Sequence, residues 1–308
     1  MSMSIKEQFF QYIETRSISQ TQASKALGYS PAVITAYKGD KYEGNVEEVE
    51  RRMTAWLERE TSRGKLLDIP IQETAILKQV AAACDIAYEE TDIAVIVGYA
   101  GNGKSLALRE YVRRHGFVYY LEANKSTSPH VLIVRLAEVF GLSVKGNAAE
   151  ITARIATFLA GRDTLVIIDQ ADDLADCALE WLRQIVYDEG KTGLVLAGIP
   201  KLAGQIMNAR NDHDQLLSRV GLYVRLPPVE TPDMARVVRS VWPTISEEVE
   251  ASFIACATLV QRSERLPSLR RLTKIMNRVH RVLYKNGLDL PSAEIVEHAA
   301  RYIMNKDM

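Results

Sequence analysis

Between residues 94 and 226 the chain repeats one rhythm: a short apolar, β-branched run, then a longer amphipathic stretch. The runs are AVIVG (94–98), FVYYL (117–121), TLVIID (164–169), GLVLAG (193–198) and LYVRL (222–226). Stretches such as SLALREYVRRHG, with the polar and apolar spacing of a helix, separate them. This alternation predicts an α/β fold in which helices flank a parallel sheet. Residues 1–62 read instead as polar-rich helices punctuated by the turns GYSP and KGDKYEGN, and SRGKLLDIPIQ follows as a linker. After PPVETP the strands are expected to stop. Four helices are predicted beyond it, from DMARVVRSVW, SEEVEASFIACATLV, PSLRRLTKIMNRVHRVLYKNG and PSAEIVEHAARYIM. The expected organisation is an all-α N-terminal domain (1–62), an α/β core (73–228) and a helical C-terminal region (229–308).

Composition narrows the class only a little. Apolar residues make up 47% and charged residues 25% of the 308, as in an ordinary soluble protein. The net charge of −1 announces no nucleic-acid partner, so any such surface has to be local. Cys84, Cys177 and Cys256 are far apart, which argues against a zinc site or disulfide framework and suits a reducing cytoplasm. MSMSIKEQFF lacks the basic start and apolar run of a signal peptide. No apolar segment reaches the ~18–20 residues of a membrane span. A cytoplasmic protein without membrane contact is expected.

The chemistry begins after the first strand. Gly98, Gly103, Lys104 and Ser105 fit G-x-x-x-x-G-K-[ST] between a strand and a helix. The loop Gly98, Tyr99, Ala100, Gly101, Asn102, Gly103 and the helix start Lys104, Ser105, Leu106 are the candidate nucleotide cradle. Glycines let the backbone turn tightly enough to aim N–H groups at phosphates, and the helix N-terminus adds its positive end. Lys104 reaches the β- and γ-phosphates of ATP, and the Ser105 hydroxyl ligates Mg²⁺. About sixty residues on, LVIIDQADDL ends a strand in Asp169, the expected Mg²⁺-side carboxylate on a neighbouring strand. Gln170 follows where a carboxylate would polarise the attacking water. An amide orients water but does not take its proton, so slow ATP turnover is expected, with Asp172 or Asp173 as possible substitutes. A Gln170→Glu change is then expected to raise turnover. Ile199, after the fourth strand, is a second apolar residue where a polar one would help.

Two segments are candidates for DNA contact. SQTQASKALGYSPAVITAYKGDKY reads as helix, turn, helix. Ala23, Ala26 and Leu27 pack the first helix, Gly28 makes the turn, and Ser30 caps the second with Pro31 at its first position. Ser30, Thr35 and Lys38 are its candidate DNA contacts. Eight Lys/Arg against nine Asp/Glu through residue 62 leave protein docking as the alternative. In the third C-terminal helix, Leu269, Leu272, Met276, Val279 and Leu283 form a buried stripe. Arg270, Lys274, Arg278, Arg281 and Lys285 lie opposite, uninterrupted by an acid, as a solvated face or a phosphate-binding one.

The order of these blocks resembles AAA+ ATPases and, more narrowly, the MuB-like family of target-DNA-binding ATPases that serve transposases. The resemblance spans nearly the whole chain: the helix-turn-helix, the phosphate loop, TLVIIDQADDL with TGLVLAG, and the lid helix opening LPSLRRL. It implies an AAA+ P-loop domain with an N-terminal helix-turn-helix domain and a C-terminal helical lid. It makes Arg219 in LLSRV the candidate arginine finger for a neighbouring subunit's nucleotide, with Arg225 as fallback. It also makes Arg270 a nucleotide-contacting lid arginine, in competition with a DNA role. Family members carry Glu where this chain has Gln170. The implied function is ATP-dependent, sequence-tolerant binding of double-stranded DNA by a homo-oligomer or filament that delivers DNA to a transposase. The alternatives are an ATP-gated helicase loader or replication initiator, and a helix-turn-helix regulator with a nucleotide-sensing domain.

Overall fold

The computed structural model describes residues 3–16, 18–63, 67–207, 214–261, 264–301 and 303. They form two compact units, residues 1–68 with 280–289 and residues 69–279 with 290–308. Residues 64–66 of the expected linker, and Tyr302 and Met304 of the last expected helix, lie outside the described residues.

The first unit is built on helices α1 (Ile5–Thr15), α2 (Gln20–Leu27), α3 (Pro31–Lys38) and α4 (Val46–Arg63). Ser4 and Ser19 start α1 and α2 with reciprocal capping boxes, satisfying backbone N–H groups that the first turn leaves over. Gly28 ends α2 at φ +77°, a left-handed conformation that a Cβ disfavours. Phe9, Ile34, Val49, Met53 and Trp56 form the core, with Phe9 edge-on to Trp56 at 5.2 Å. Two details differ from the sequence reading. Ala26 is exposed, and Ser30 occupies the N-cap of α3 without a side-chain capping bond, leaving Pro31 to set the helix start.

The second unit carries α5 (Ala75–Glu89) and a five-stranded parallel sheet. Its strands are β1 (Ile93–Val97), β2 (Val118–Glu122), β3 (Leu165–Asp169), β4 (Gly193–Gly198) and β5 (Val220–Arg225). The spatial order is β2-β3-β4-β1-β5. All of β1, β3 and β4 is buried, because helices cover both faces. Val95 and Val97 join one core with Leu132, Ile155 and Ile168; Ala94 and Ile96 join the other with Val80, Leu108 and Ile167. The strand of Asp169 is not adjacent to β1; β4 intervenes.

One expectation fails beyond residue 229. The helix expected through SEEVEASFIACATLV stops at Ala257, and Thr258–Gln261 (β6) pairs antiparallel with Glu264–Pro267 (β7). The β-branched Thr258 and Val260 favour extended backbone, and the ladder to β7 satisfies it. This hairpin delivers the chain to a long helix, Leu269–Asn286, in which Leu272, Met276, Val279 and Leu283 are buried as expected.

Candidate nucleotide site

The C-terminal ends of β1, β3 and β4 open onto a cavity of about 360 Å³. Open α/β sheets bind ligands at this edge. The loop and helix-start residues Ala100, Gly101, Asn102, Gly103, Lys104, Ser105 and Leu106 line it. Gln170 and Asp172 face them, with Gly198, Ile199, Leu269, Arg270 and Thr273 completing the wall. Tyr99 lines a smaller adjoining cavity with Pro228, Val229 and Pro267.

Local geometry explains the loop. Gly101 and Gly103 sit at φ +84° and +98°, conformations that L side chains rarely adopt. A Cβ on Gly98 would lie 2.5 Å from the side-chain nitrogen of Asn102. The Asn102 side-chain oxygen accepts from the Lys104 backbone N–H over 3.1 Å, opening helix α6 (Lys104–Arg114). The Asn102 Nδ2 is buried and has no hydrogen-bond partner among the described residues.

Lys104 is 7% exposed, and among the described residues no carboxylate lies within ion-pair distance of it. Burial pushes its ammonium below the ordinary lysine value; Asp169 and Asp172 pull it back up, and Arg270 adds to the lowering. A buried cation of this kind gains from a bound anion. With the orphan amide nitrogen and the glycine turn, the donor set fits a polyphosphate. Ser105 is half-buried beside Lys104, and Asp169 is fully buried at the end of β3. Asp169 accepts from the Tyr120 hydroxyl over 2.9 Å and from the Gln170 backbone N–H over 2.9 Å. Burial, reinforced by Asp169, pushes the Tyr120 hydroxyl pKa up, so it remains a donor.

Gln170 adopts φ +57°, and its side-chain amide donates to the carboxylate of Glu122 at the end of β2. Glu122 is the site residue that sequence reasoning missed. Its signal was present, since FVYYLE ends in an acid just as TLVIID does. Asp172 is held elsewhere: its carboxylate accepts from the Ile199 N–H over 3.0 Å, and its carbonyl accepts from Lys201 over 2.7 Å. Ile199 therefore contributes a backbone donor to Asp172 and an apolar side chain to the cavity wall.

The helix Leu269–Asn286 meets the phosphate loop through its first turn. The Arg270 backbone N–H donates to the Gly101 carbonyl over 3.2 Å, and Ser268 Oγ accepts from the Arg271 N–H over 3.3 Å. The Arg270 side chain lines the cavity, whereas Lys274, Arg281 and Lys285 are exposed. Arg278 is half-buried and donates to the Ala299 carbonyl over 3.3 Å.

Arg219 lies apart from these groups. It precedes β5, whose first residue pairs with Ile93 at the N-terminal end of β1. Five residues of extended strand span roughly 16 Å, so Arg219 sits at the sheet edge opposite its own phosphate loop. Its guanidinium is exposed and pairs with Asp188 at 3.3 Å. Arg225, also exposed, ends β5 beside Val97, at the C-terminal edge of the sheet. In the first unit Ser30, Thr35 and Lys38 are exposed. Thr35 accepts from Gln20 over 2.9 Å, and the Lys38 amine lies 4.9 Å from the Phe10 ring centroid.

A family model described as an AAA domain matches residues 87–206. The chain is 27% identical over 253 residues to the Mu-like prophage FluMu DNA transposition protein B of Haemophilus influenzae, covering 80% of this chain and 88% of that protein. It is also 27% identical over 241 residues to the ATP-dependent target DNA activator B of Escherichia phage Mu, covering 77% of each. Among solved structures, the Aeropyrum pernix ORC2 protein in its ADPNP–ADP complexes superposes with a TM-score of 0.60 at 16% identity. It covers 76% of this chain and 70% of that one, a likeness of fold.

Proposed function

We propose that the chain, similar over most of its length to Mu-type target DNA activators, is a MuB-like AAA+ ATPase that assembles with ATP on double-stranded DNA and delivers that DNA to a transposase. The observation that supports this best is the lid helix. Its first turn lines the nucleotide cavity, and the exposed cations Lys274, Arg281 and Lys285 follow on the same helix. Lys274 stands one helical turn beyond the cavity-lining Arg270, so nucleotide contact and a DNA-facing cation are neighbours on that helix.

The loop N–H groups and Lys104 hold the triphosphate, and Arg270 reaches it from the lid. Ser105 and Asp169 would hold Mg²⁺, which neutralises phosphate charge when bound. Arg219, at the far edge of the sheet from its own phosphate loop, serves a neighbouring copy's nucleotide in this reading. ATP between copies then joins them, and each added copy contributes weak phosphate contacts that sum to tight, sequence-tolerant binding. Hydrolysis dissolves the assembly.

Strand-transfer assays with the partner transposase test this reading. Addition of the protein and ATP is expected to raise strand transfer into random-sequence target DNA. No stimulation, with helicase loading instead, would support an ATP-gated loader. A preference of ~10³ or more for one operator over random duplex would support a regulator.

A further inference from the structure

We propose that Glu122 supplies the carboxylate that position 170 lacks: Gln170 orients the attacking water and Glu122 takes its proton. This rests on the ATPase reading and adds to it the residue that activates water.

Among the described residues, several carboxylates lie on the elements that build the cavity, and Asp172 is the one that lines it. Asp169 is committed to Tyr120 and the Gln170 N–H, on the expected Mg²⁺ side. Asp172, in the cavity wall, has one carboxylate oxygen that accepts from the Ile199 N–H. Glu110 on α6 is bound by Arg113 and Arg114, which hold its pKa down to about 2. Glu122 remains. It pairs in register with Asp169 across β2 and β3, so its carboxylate emerges at the same edge of the sheet. One of its oxygens accepts from the Gln170 side chain. The other accepts from Arg109, on the helix that Lys104 begins. Gln170, which lines the cavity, thus links it to the Glu122 carboxylate.

The pair divides between two strands what a single glutamate at 170 would do alone. The water oxygen bonds to the γ-phosphorus as the bond from that phosphorus to the β–γ bridging oxygen breaks. The electron pair of that bond stays on the β-phosphate of ADP. The water proton passes to Glu122 and then to solvent, leaving inorganic phosphate. The expectation of slow turnover rests on the amide at 170, with Asp172 or Asp173 as substitutes; in this proposal Glu122 is the substitute instead. A lone Gln170→Glu change would set two carboxylates against each other, so it is no longer expected to raise turnover.

The test is ATP turnover of the full-length protein on random duplex, with a fluorescent ATP analogue to measure binding separately. Glu122→Gln retains an acceptor oxygen for Gln170 and removes the ion pair with Arg109. Arg109→Ala, which removes that pair but keeps the carboxylate, is expected to keep turnover within about threefold of wild type. For Glu122→Gln the expected result is a kcat fall of ~10²-fold or more, with KM and analogue affinity within about twofold of wild type. The exchanged double variant Glu122→Gln/Gln170→Glu is expected to regain at least tenfold over the single variant. Glu122→Gln turning over within about threefold of wild type would overturn the proposal, as would a double variant no faster than the single. Wild type that binds the analogue and assembles on DNA without turnover would overturn it while leaving the assembly reading intact. Wild type that fails to bind the analogue would overturn both.

Discussion

The backbone N–H of Arg270 donates to the carbonyl of Gly101 over 3.2 Å, so the first turn of the lid helix is fastened to the phosphate loop itself. A change in the loop is then felt by the helix. At Gly101 an added Cβ would lie 2.6 Å from Ser268 Oγ, on a backbone at φ +84°. Gly101→Ala combines that clash with a left-handed strain of about 1–2 kcal/mol. Fluorescent-nucleotide titration is expected to show affinity lowered about tenfold or more. Unchanged affinity would mean that the loop does not need this conformation.

Arg270 was open to two assignments, nucleotide or DNA, and its place in the cavity wall favours the nucleotide. Arg270→Ala is expected to weaken ATP binding about 10- to 100-fold, the range for a charge-assisted hydrogen bond. The salt dependence of residual DNA binding should stay as in wild type. A flattened salt slope with intact nucleotide affinity would reverse the assignment.

The exposed cations further along the helix carry the opposite expectation. Replacing Lys274, Arg281 and Lys285 together by alanine should make the log–log salt slope shallower by up to ~2.7, about 0.9 per phosphate contact. Nucleotide affinity should not move. Arg278→Ala should change the slope little, because its guanidinium is turned to the Ala299 carbonyl. Equal slopes for the triple variant and wild type would place the DNA surface elsewhere.

Arg219 is predicted to act only between copies. Arg219→Ala should bind the fluorescent nucleotide normally while losing ~10³-fold or more of its turnover on DNA, as loss of an arginine finger does. In a mixture with a Lys104→Ala variant, each copy lacks what the other holds, and turnover should partly recover. Recovery absent at every ratio would count against exchange of residues between copies.

The sheet and the phosphate loop were legible because their signals are local. Each strand is a compact apolar run, and the loop's glycines, Lys104 and Ser105 lie within eight residues. The hairpin after Ala257 was hidden because CATLV continues a helical apolar pattern, and only pairing with Glu264–Pro267 decides for strand. Glu122 was hidden for a related reason. It lies 48 residues from Gln170 in sequence, and parallel pairing of β2 with β3 is what joins them. The intervening strand between Asp169 and the phosphate loop likewise follows from strand order, which no single segment encodes.

Electron microscopy of the protein with random-sequence duplex and a nonhydrolysable ATP analogue tests the central claim most directly. The account predicts multi-subunit assemblies along the duplex with the analogue, and none with analogue-free or Lys104→Ala protein. Isolated subunits on DNA at saturating analogue, or equal assembly by Lys104→Ala, would contradict it.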